Sequence, residues 1–405
     1  MFMHNKNRWF TGILTASVLL AAGCRQQPAT QSEPAPHPAA PKAIQIGGED
    51  VLTLSRQATN SGSKPEFLSV TLLPGRGMNM LQVTAAIPGK GEIPLLHSPS
   101  VEEAASRLTG TGRDELGSMS TSLGGAFLIP YPNRILGEAS PDGKSVITDW
   151  RGHTLALPAS ISGKNPGGRA VAIHGLIAKA KVENLETHAT ADGQTVTGVI
   201  HGGNFGGHWL SETDLNFTIA LTGGAVEATI TAKNVGKEPE PMSIGWHPYF
   251  QIPSGHRAQA RLHIPATLMA VVNNYSDVFP TGQLKPVKGT VFDYTAPGGV
   301  PLDDHFLDDN FSHLQRTQGA ADVKLIDPES NYGLTVAALS PEIRTVQAFA
   351  PKGTTFVAIE DQFNYVDPFG KQWKGMDTGM VTLRPGQSVT WKVRLELFTP
   401  DKLDQ

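Results

Sequence analysis

Two histidines, a glutamate and an arginine, each at the end of an apolar run, are the residues best placed to do chemistry in this chain. The run Ala126-Phe-Leu-Ile-Pro-Tyr-Pro stops at its prolines and delivers Asn133 and Arg134 into a loop. The planar fork of an arginine there can hydrogen-bond sugar hydroxyls or a carboxylate. Ala170-Val-Ala-Ile ends in His174-Gly175, where the glycine lets a ligand or another backbone come close. Ile244-Gly-Trp-His247-Pro-Tyr-Phe250 sets Pro248 beside His247, so a strand must end or bulge there. Trp246 and Tyr249 add aromatic faces of the kind that stack on sugar rings. Thr355-Phe-Val-Ala-Ile-Glu360 ends in a carboxylate, and burial can raise its pKa towards neutrality and fit it for general base work. Each motif alone has a plain structural alternative: a solvated Arg, a core or turn His, an aromatic plug around a buried His, an exposed Glu.

Two further clusters read as structure. His201-Gly-Gly-Asn-Phe-Gly-Gly-His208 has no carboxylate before Glu212, so it reads as a glycine-rich turn, not a metal pair. Asp303-Asp304 and Asp308-Asp309 lack the ligand spacing and glycine of a calcium loop, so they read as a solvated acidic loop. No metal is expected.

The elements that must position these residues are strands. Phe67-Leu-Ser-Val-Thr-Leu-Leu, Thr195-Val-Thr-Gly-Val-Ile and Ala225-Val-Glu-Ala-Thr-Ile-Thr have β-branched or alternating character. In Ser388-Val-Thr-Trp-Lys-Val-Arg-Leu-Glu-Leu, the apolar Val389, Trp391, Val393, Leu395 and Leu397 alternate with polar residues, which predicts one buried and one wet face. Asp192-Gly193, Gly223-Gly224 and Pro385-Gly386 punctuate the strands as turns. One short helix is expected from the capping-box pattern Ser100-Val-Glu-Glu103. With 43 Gly and 30 Pro in 405 residues, a helix bundle is excluded in favour of many turns. The net charge of −4 without a basic stripe argues against nucleic acid as a partner. No repeat and no second low-complexity linker appear, which favours one large β-sandwich over several small domains.

The N-terminus reads as an address. Lys6 and Arg8 precede the uncharged apolar run Trp9 to Ala22, too short for a comfortable membrane span. Leu20-Ala-Ala-Gly-Cys24, with the only cysteine of the chain, resembles a bacterial lipoprotein signal. That resemblance implies a signal peptide over 1–23, lipid on Cys24 and a membrane partner through it. The Pro/Ala/Gln-rich stretch 24–43 reads as a tether, with the folded domain at 44–405. The absence of an acidic residue directly after Cys24 implies the outer membrane of a bacterial cell envelope.

In this order, the four strand-end motifs resemble those of the aldose 1-epimerases, or galactose mutarotases, and their hexose-phosphate epimerase relatives. Asn133-Arg-Ile, His174-Gly, His247-Pro-Tyr-Phe and the late Glu360 carry the resemblance, together with Asn234-Val-Gly and Gly379-Met-Val-Thr-Leu-Arg-Pro-Gly386. It covers residues 65 to about 398. It implies an all-β fold, a large antiparallel β-sandwich with a sugar cleft, and interconversion of aldose anomers without a cofactor. Glu360 resembles the general base and His247 the general acid. Arg134 and His174 resemble residues that position sugar oxygens. A further carboxylate in an Asp-x-x-Phe-like stretch is offered by Asp303, with Asp304 competing. After His174-Gly the chain runs Leu-Ile-Ala-Lys-Ala, which is closer to the branch with phosphorylated-sugar epimerases and leaves free or phosphorylated substrate open. Segments 98–120 and 256–300 have no counterpart and are expected as loops lining the cleft. The same fold also serves non-catalytic carbohydrate binding, which would not need Glu360 and His247 together. A polysaccharide-processing enzyme is the third reading, and only 6 tyrosines weigh against it.

Overall fold

The computed structural model describes residues 43–59, 62–161 and 169–400. The expectations for the signal peptide, for Cys24 and for the tether up to residue 42 lie outside the described residues. Where the chain is described, alternation of apolar and polar residues becomes alternation of burial. Ser388–Phe398 buries Val389, Trp391, Val393 and Leu395 and turns Ser388, Thr390 and Glu396 to solvent. It lies at the middle of a nine-stranded antiparallel sheet, between Ala225–Asn234 and Tyr332–Ala338. Facing it is an eleven-stranded antiparallel sheet, and one core fills the space between. The fold is an all-β sandwich. Phe127 of the larger sheet meets Phe217 and Trp391 of the smaller at ring distances of 5.7 and 5.9 Å. The Trp391 indole donates across the layers to the Asp361 carbonyl at 3.0 Å, so its one polar atom is satisfied in the core.

Seven strands carry the site: β1 (Gly125–Leu128), β2 (Arg134–Ala139), β3 (Ala170–Ile173), β4 (Gly245–Gln251), β5 (Leu307–Leu314), β6 (Thr345–Ala350) and β7 (Phe356–Gln362). Within the larger sheet they run in the order β5-β6-β7-β4-β1. β2 and β3 pair with each other in a separate four-stranded sheet.

The expected helix is α1 (Val101–Arg107), and the Ser100 side chain accepts the Glu103 amide as its cap. Segment 256–300 is a correction to the loop expectation. Residues Ala266–Val272 and Pro280–Pro286 extend the larger sheet and Arg261–His263 joins the smaller one. Pro280–Pro286 is an edge strand with a proline at each end, which hides it from a sequence reading and also blunts the edge. Among the described residues no helix is long and apolar enough to cross a membrane.

Candidate active site

Sheet register assembles the centre of the site. Gly245 lies opposite Gln362 and Tyr249 opposite Ala358, which brackets His247 across from Glu360 on the neighbouring strand. Glu360 in turn faces Gln347 of β6, and Gln347 faces Asn310 of β5. Side chains two residues apart share a face, so Tyr249, Phe349 and Asp308 join the same surface. They line a cavity of about 180 Å³ with Asn133, Arg134, His174, His247, Gln347 and Glu360.

The second half of the wall comes from β2 and β3. Arg134 pairs with Ile173, and the His174 amide then donates to the Asn133 carbonyl at 2.9 Å. This places Asn133, Arg134 and His174 side by side. Both Asn133 and His174 have positive φ, 61° and 63°, so each strand end turns sharply to aim its side chain. Gly175 follows at φ 80°, and a Cβ there would lie 2.4 Å from the Ile129 carbonyl oxygen. The glycine of the His-Gly motif is therefore needed for backbone packing. Gly245 is likewise closed to a side chain, since a Cβ would meet Pro132 at 2.8 Å.

Four polar side chains close a ring at one end of the cavity. Arg134 Nη1 donates to Asn133 Oδ1 at 3.2 Å, and Asn133 Nδ2 to Gln347 Oε1 at 3.1 Å. Gln347 Nε2 donates to Asp308 Oδ1 at 2.7 Å, and Asp308 Oδ2 lies 3.5 Å from Arg134 Nη2. Every member thus holds two others, which fixes the rotamers presented to a ligand.

At the other end His247 Nε2 lies 3.3 Å from Glu360 Oε1, with the two side chains 7% and 2% exposed. Burial pushes the Glu360 carboxyl well above its ordinary range, Asp308 adds to this, and Arg134 opposes it. Burial lowers His247 to about 4, with Arg134 contributing in the same direction. The His174 imidazole is held well below its ordinary value by burial, then by His247 and Arg134. Its ring stands edge-on to that of His247 at 5.0 Å and 88°. Glu360 Oε2, His247 Nδ1 and His174 Nδ1 are buried with no protein partner. The Tyr249 ring packs 4.7 Å from His247, and its hydroxyl donates to the Thr121 carbonyl at 2.9 Å.

The residues singled out in the sequence fall as follows. Glu360, His247, Arg134, His174, Asn133 and Tyr249 meet at the cavity. Trp246 does not: it alternates with His247, points into the core at 1% exposure and donates to the Gly125 carbonyl. Its role as a sugar-stacking face is therefore corrected to core packing. Asp303 and Asp304 are also corrected. Both are exposed on the loop before β5, while Asp308 inside β5 supplies the carboxylate of the cavity. Nor are Asp308 and Asp309 a solvated loop. Both are buried strand residues, and Asp309 accepts the Tyr275 hydroxyl at 2.8 Å. Asp308-Asp-Asn-Phe311 has the same Asp-x-x-Phe spacing as Asp303-Asp-His-Phe306, so the signal was present twice. Gln347 and Phe349 were missed, and a polar Gln inside the apolar run Thr345–Ala350 was their only mark. His201 and His208 keep separate partners, Asp214 and the Ala156 carbonyl.

This sandwich is that of the galactose mutarotase-like proteins. A galactose mutarotase-like protein from Clostridium acetobutylicum superposes with a TM-score of 0.66 at 18% identity, covering 86% of this chain and 99% of that one. An aldose epimerase homologue from C. elegans gives 0.62 at 16%, covering 87% and 99%. The galactose 1-epimerase of Lactobacillus acidophilus gives 0.57 at 15%, covering 87% and 99%. At these identities the likeness is one of fold. No curated protein matches the sequence. The sequence model of the aldose 1-epimerase family, however, matches residues 111–396, well over half the chain. The chain belongs to the aldose 1-epimerase family.

Proposed function

We propose that the protein is an active mutarotase that interconverts the α and β anomers of an aldose. The observation that carries this reading is the buried contact between His247 and Glu360 in the wall of a small polar cavity. Anomer exchange needs one proton taken from the C1 hydroxyl and one given to the ring oxygen. The ring opens, the C1–C2 bond rotates, and reclosure on the other face reverses both transfers. A carboxyl and an imidazole in one site can perform both halves. Glu360 is assigned as base to the C1 hydroxyl and His247 as acid to the ring oxygen.

The electrostatics fit a pair that shares one proton. Burial favours the uncharged carboxyl and the uncharged imidazole. Moving that proton from Glu360 to His247 gives the charged pair with no exchange with solvent. A sugar hydroxyl donating to the unpartnered Glu360 Oε2 stabilises the carboxylate and so favours the charged form. The ring of Asn133, Gln347, Asp308 and Arg134 would hold the remaining hydroxyls.

The test is optical rotation of freshly dissolved α-D-glucose and α-D-galactose. The protein should shorten the approach to equilibrium, and His247→Ala should reduce the effect by roughly a hundredfold or more. Unchanged rates in buffer and in protein would contradict the reading and favour a non-catalytic sugar binder.

We also propose that the protein works at a bacterial envelope membrane, tethered through lipid on Cys24. The lipoprotein-like run Leu20-Ala-Ala-Gly-Cys24 supports this.

A further inference from the structure

We infer that the natural substrate is the reducing end of a neutral oligosaccharide, whose remaining units occupy a second cavity next to the first. This rests on the mutarotase reading and deepens it. The second cavity is about 330 Å³, against about 180 Å³ for the one that holds His247 and Glu360. His174 lines both, so the two cavities share that side chain as a wall. Its Nδ1 is buried without a protein partner and is left for a hydroxyl at the junction.

The lining says what chemistry the second cavity accepts. Leu116, Phe205 and Tyr131 give it apolar surface, while Ser118, Thr121 and Ser160 give it hydroxyls. That mixture suits a sugar, which offers apolar C–H faces and a rim of hydroxyls. Among the described residues no Lys, Arg, Asp or Glu lines it, and the Nδ1 of its His208 is taken by the Ala156 carbonyl. The neighbouring Lys179 is committed to the carbonyls of Gly110 and Glu115. The described lining thus offers a phosphate no lysine or arginine, which favours a neutral sugar as the occupant. In the smaller cavity Arg134 is engaged by Asp308 and Asn133.

The reaction fixes how an oligosaccharide must lie. Exchange requires a free C1 hydroxyl, so any further sugar is attached through another hydroxyl of the reacting ring. The reacting unit is then the reducing end, and its substituent leaves the smaller cavity past His174. Segment 98–120 supplies Leu116 and Ser118 to the second cavity.

The experiment measures anomer exchange by NMR with the full-length protein. The sugars are glucose, glucose 6-phosphate, and maltose, laminaribiose and isomaltose, in which the reducing glucose is substituted at O4, O3 and O6. At least one disaccharide should exceed glucose in kcat/KM by about tenfold, and glucose 6-phosphate should not exceed glucose. Leu116→Trp and Ser160→Trp, which fill the second cavity, should each bring the disaccharide-to-glucose ratio back towards one. Glucose exchange without any gain for a disaccharide overturns this inference and leaves the mutarotase reading standing. A larger gain for glucose 6-phosphate also overturns it. If no sugar is exchanged, the mutarotase reading fails, and calorimetry then decides the second cavity alone. Tighter binding of a disaccharide than of glucose, lost in Leu116→Trp, supports it, and equal binding overturns it.

Discussion

At the scale of single residues, the pair His247–Glu360 makes a quantitative demand on pH. Burial lowers His247 to about 4, so the pair gains a second proton only near that pH. Burial raises Glu360, so the pair loses its shared proton only above the ordinary carboxylate range. The profile of kcat/KM should therefore be a bell with its acid limb near pH 4, well below the ordinary imidazole value. An acid limb near 6.5 would mean that His247 titrates as a solvated histidine. The carboxylate in β5 allows a second test. Asp308→Asn leaves Gln347 and Arg134 without their anionic partner and should raise KM roughly tenfold or more. Asp303→Asn, on the exposed loop, should change neither kcat nor KM. The reverse pattern in steady-state kinetics would restore Asp303 to the site. The proposed catalytic types were legible because a His before a Pro and a Glu closing an apolar run are unusual placements. Which of several Asp residues faces the cavity was not legible. That depends on whether the residue lies inside β5 or on the loop before it, and Asp-x-x-Phe occurs at both.

At the scale of elements, a short two-stranded ladder carries a pH-dependent share of stability. Glu240–Met242 pairs with Val381–Leu383, and Glu240 is fully buried there. Both carboxyl oxygens lie 2.9 Å from the Thr213 hydroxyl, which has a single proton to give. The second contact needs a proton on the carboxyl, in keeping with a pKa that burial raises to about 7. A folded value above the unfolded one gives a contribution fully present below about pH 4.5 and lost as pH rises through about 7. Thermal melts of Glu240→Gln should lack this loss, so the variant should gain on wild type between pH 5 and 8, by on the order of 3 kcal/mol at the top. A parallel pH dependence in the two proteins would contradict the assignment. Strands such as Ser388–Phe398 were legible from alternation alone, because one face is buried and the other wet. The order β5-β6-β7-β4-β1 was not, since it is set by pairing between segments distant in sequence. Even so, that order is what brings Glu360 against both His247 and Gln347.

At the scale of the whole molecule, the sandwich supplies a rigid, buried sheet face and the smaller β2–β3 ladder completes the wall over it. The composition already pointed to such a body, through its turns and its short apolar runs. Of the strands within 256–300, Arg261–His263 was hidden by its length of three residues and Pro280–Pro286 by its flanking prolines. The proposed tethering belongs to the scale of the whole chain as well. Cys24→Ser should move the protein from the membrane to the soluble fraction and abolish labelling with a palmitate analogue, and unchanged fractionation would refute the lipid anchor. The central claim is catalytic, and one measurement reaches it most directly: exchange between the two anomeric proton signals at equilibrium, followed by NMR for wild type and Glu360→Gln. The account predicts acceleration by wild type and a loss of about a hundredfold or more in the variant, with an unchanged circular dichroism spectrum. Full exchange activity in Glu360→Gln, or none in wild type with any aldose, would contradict it.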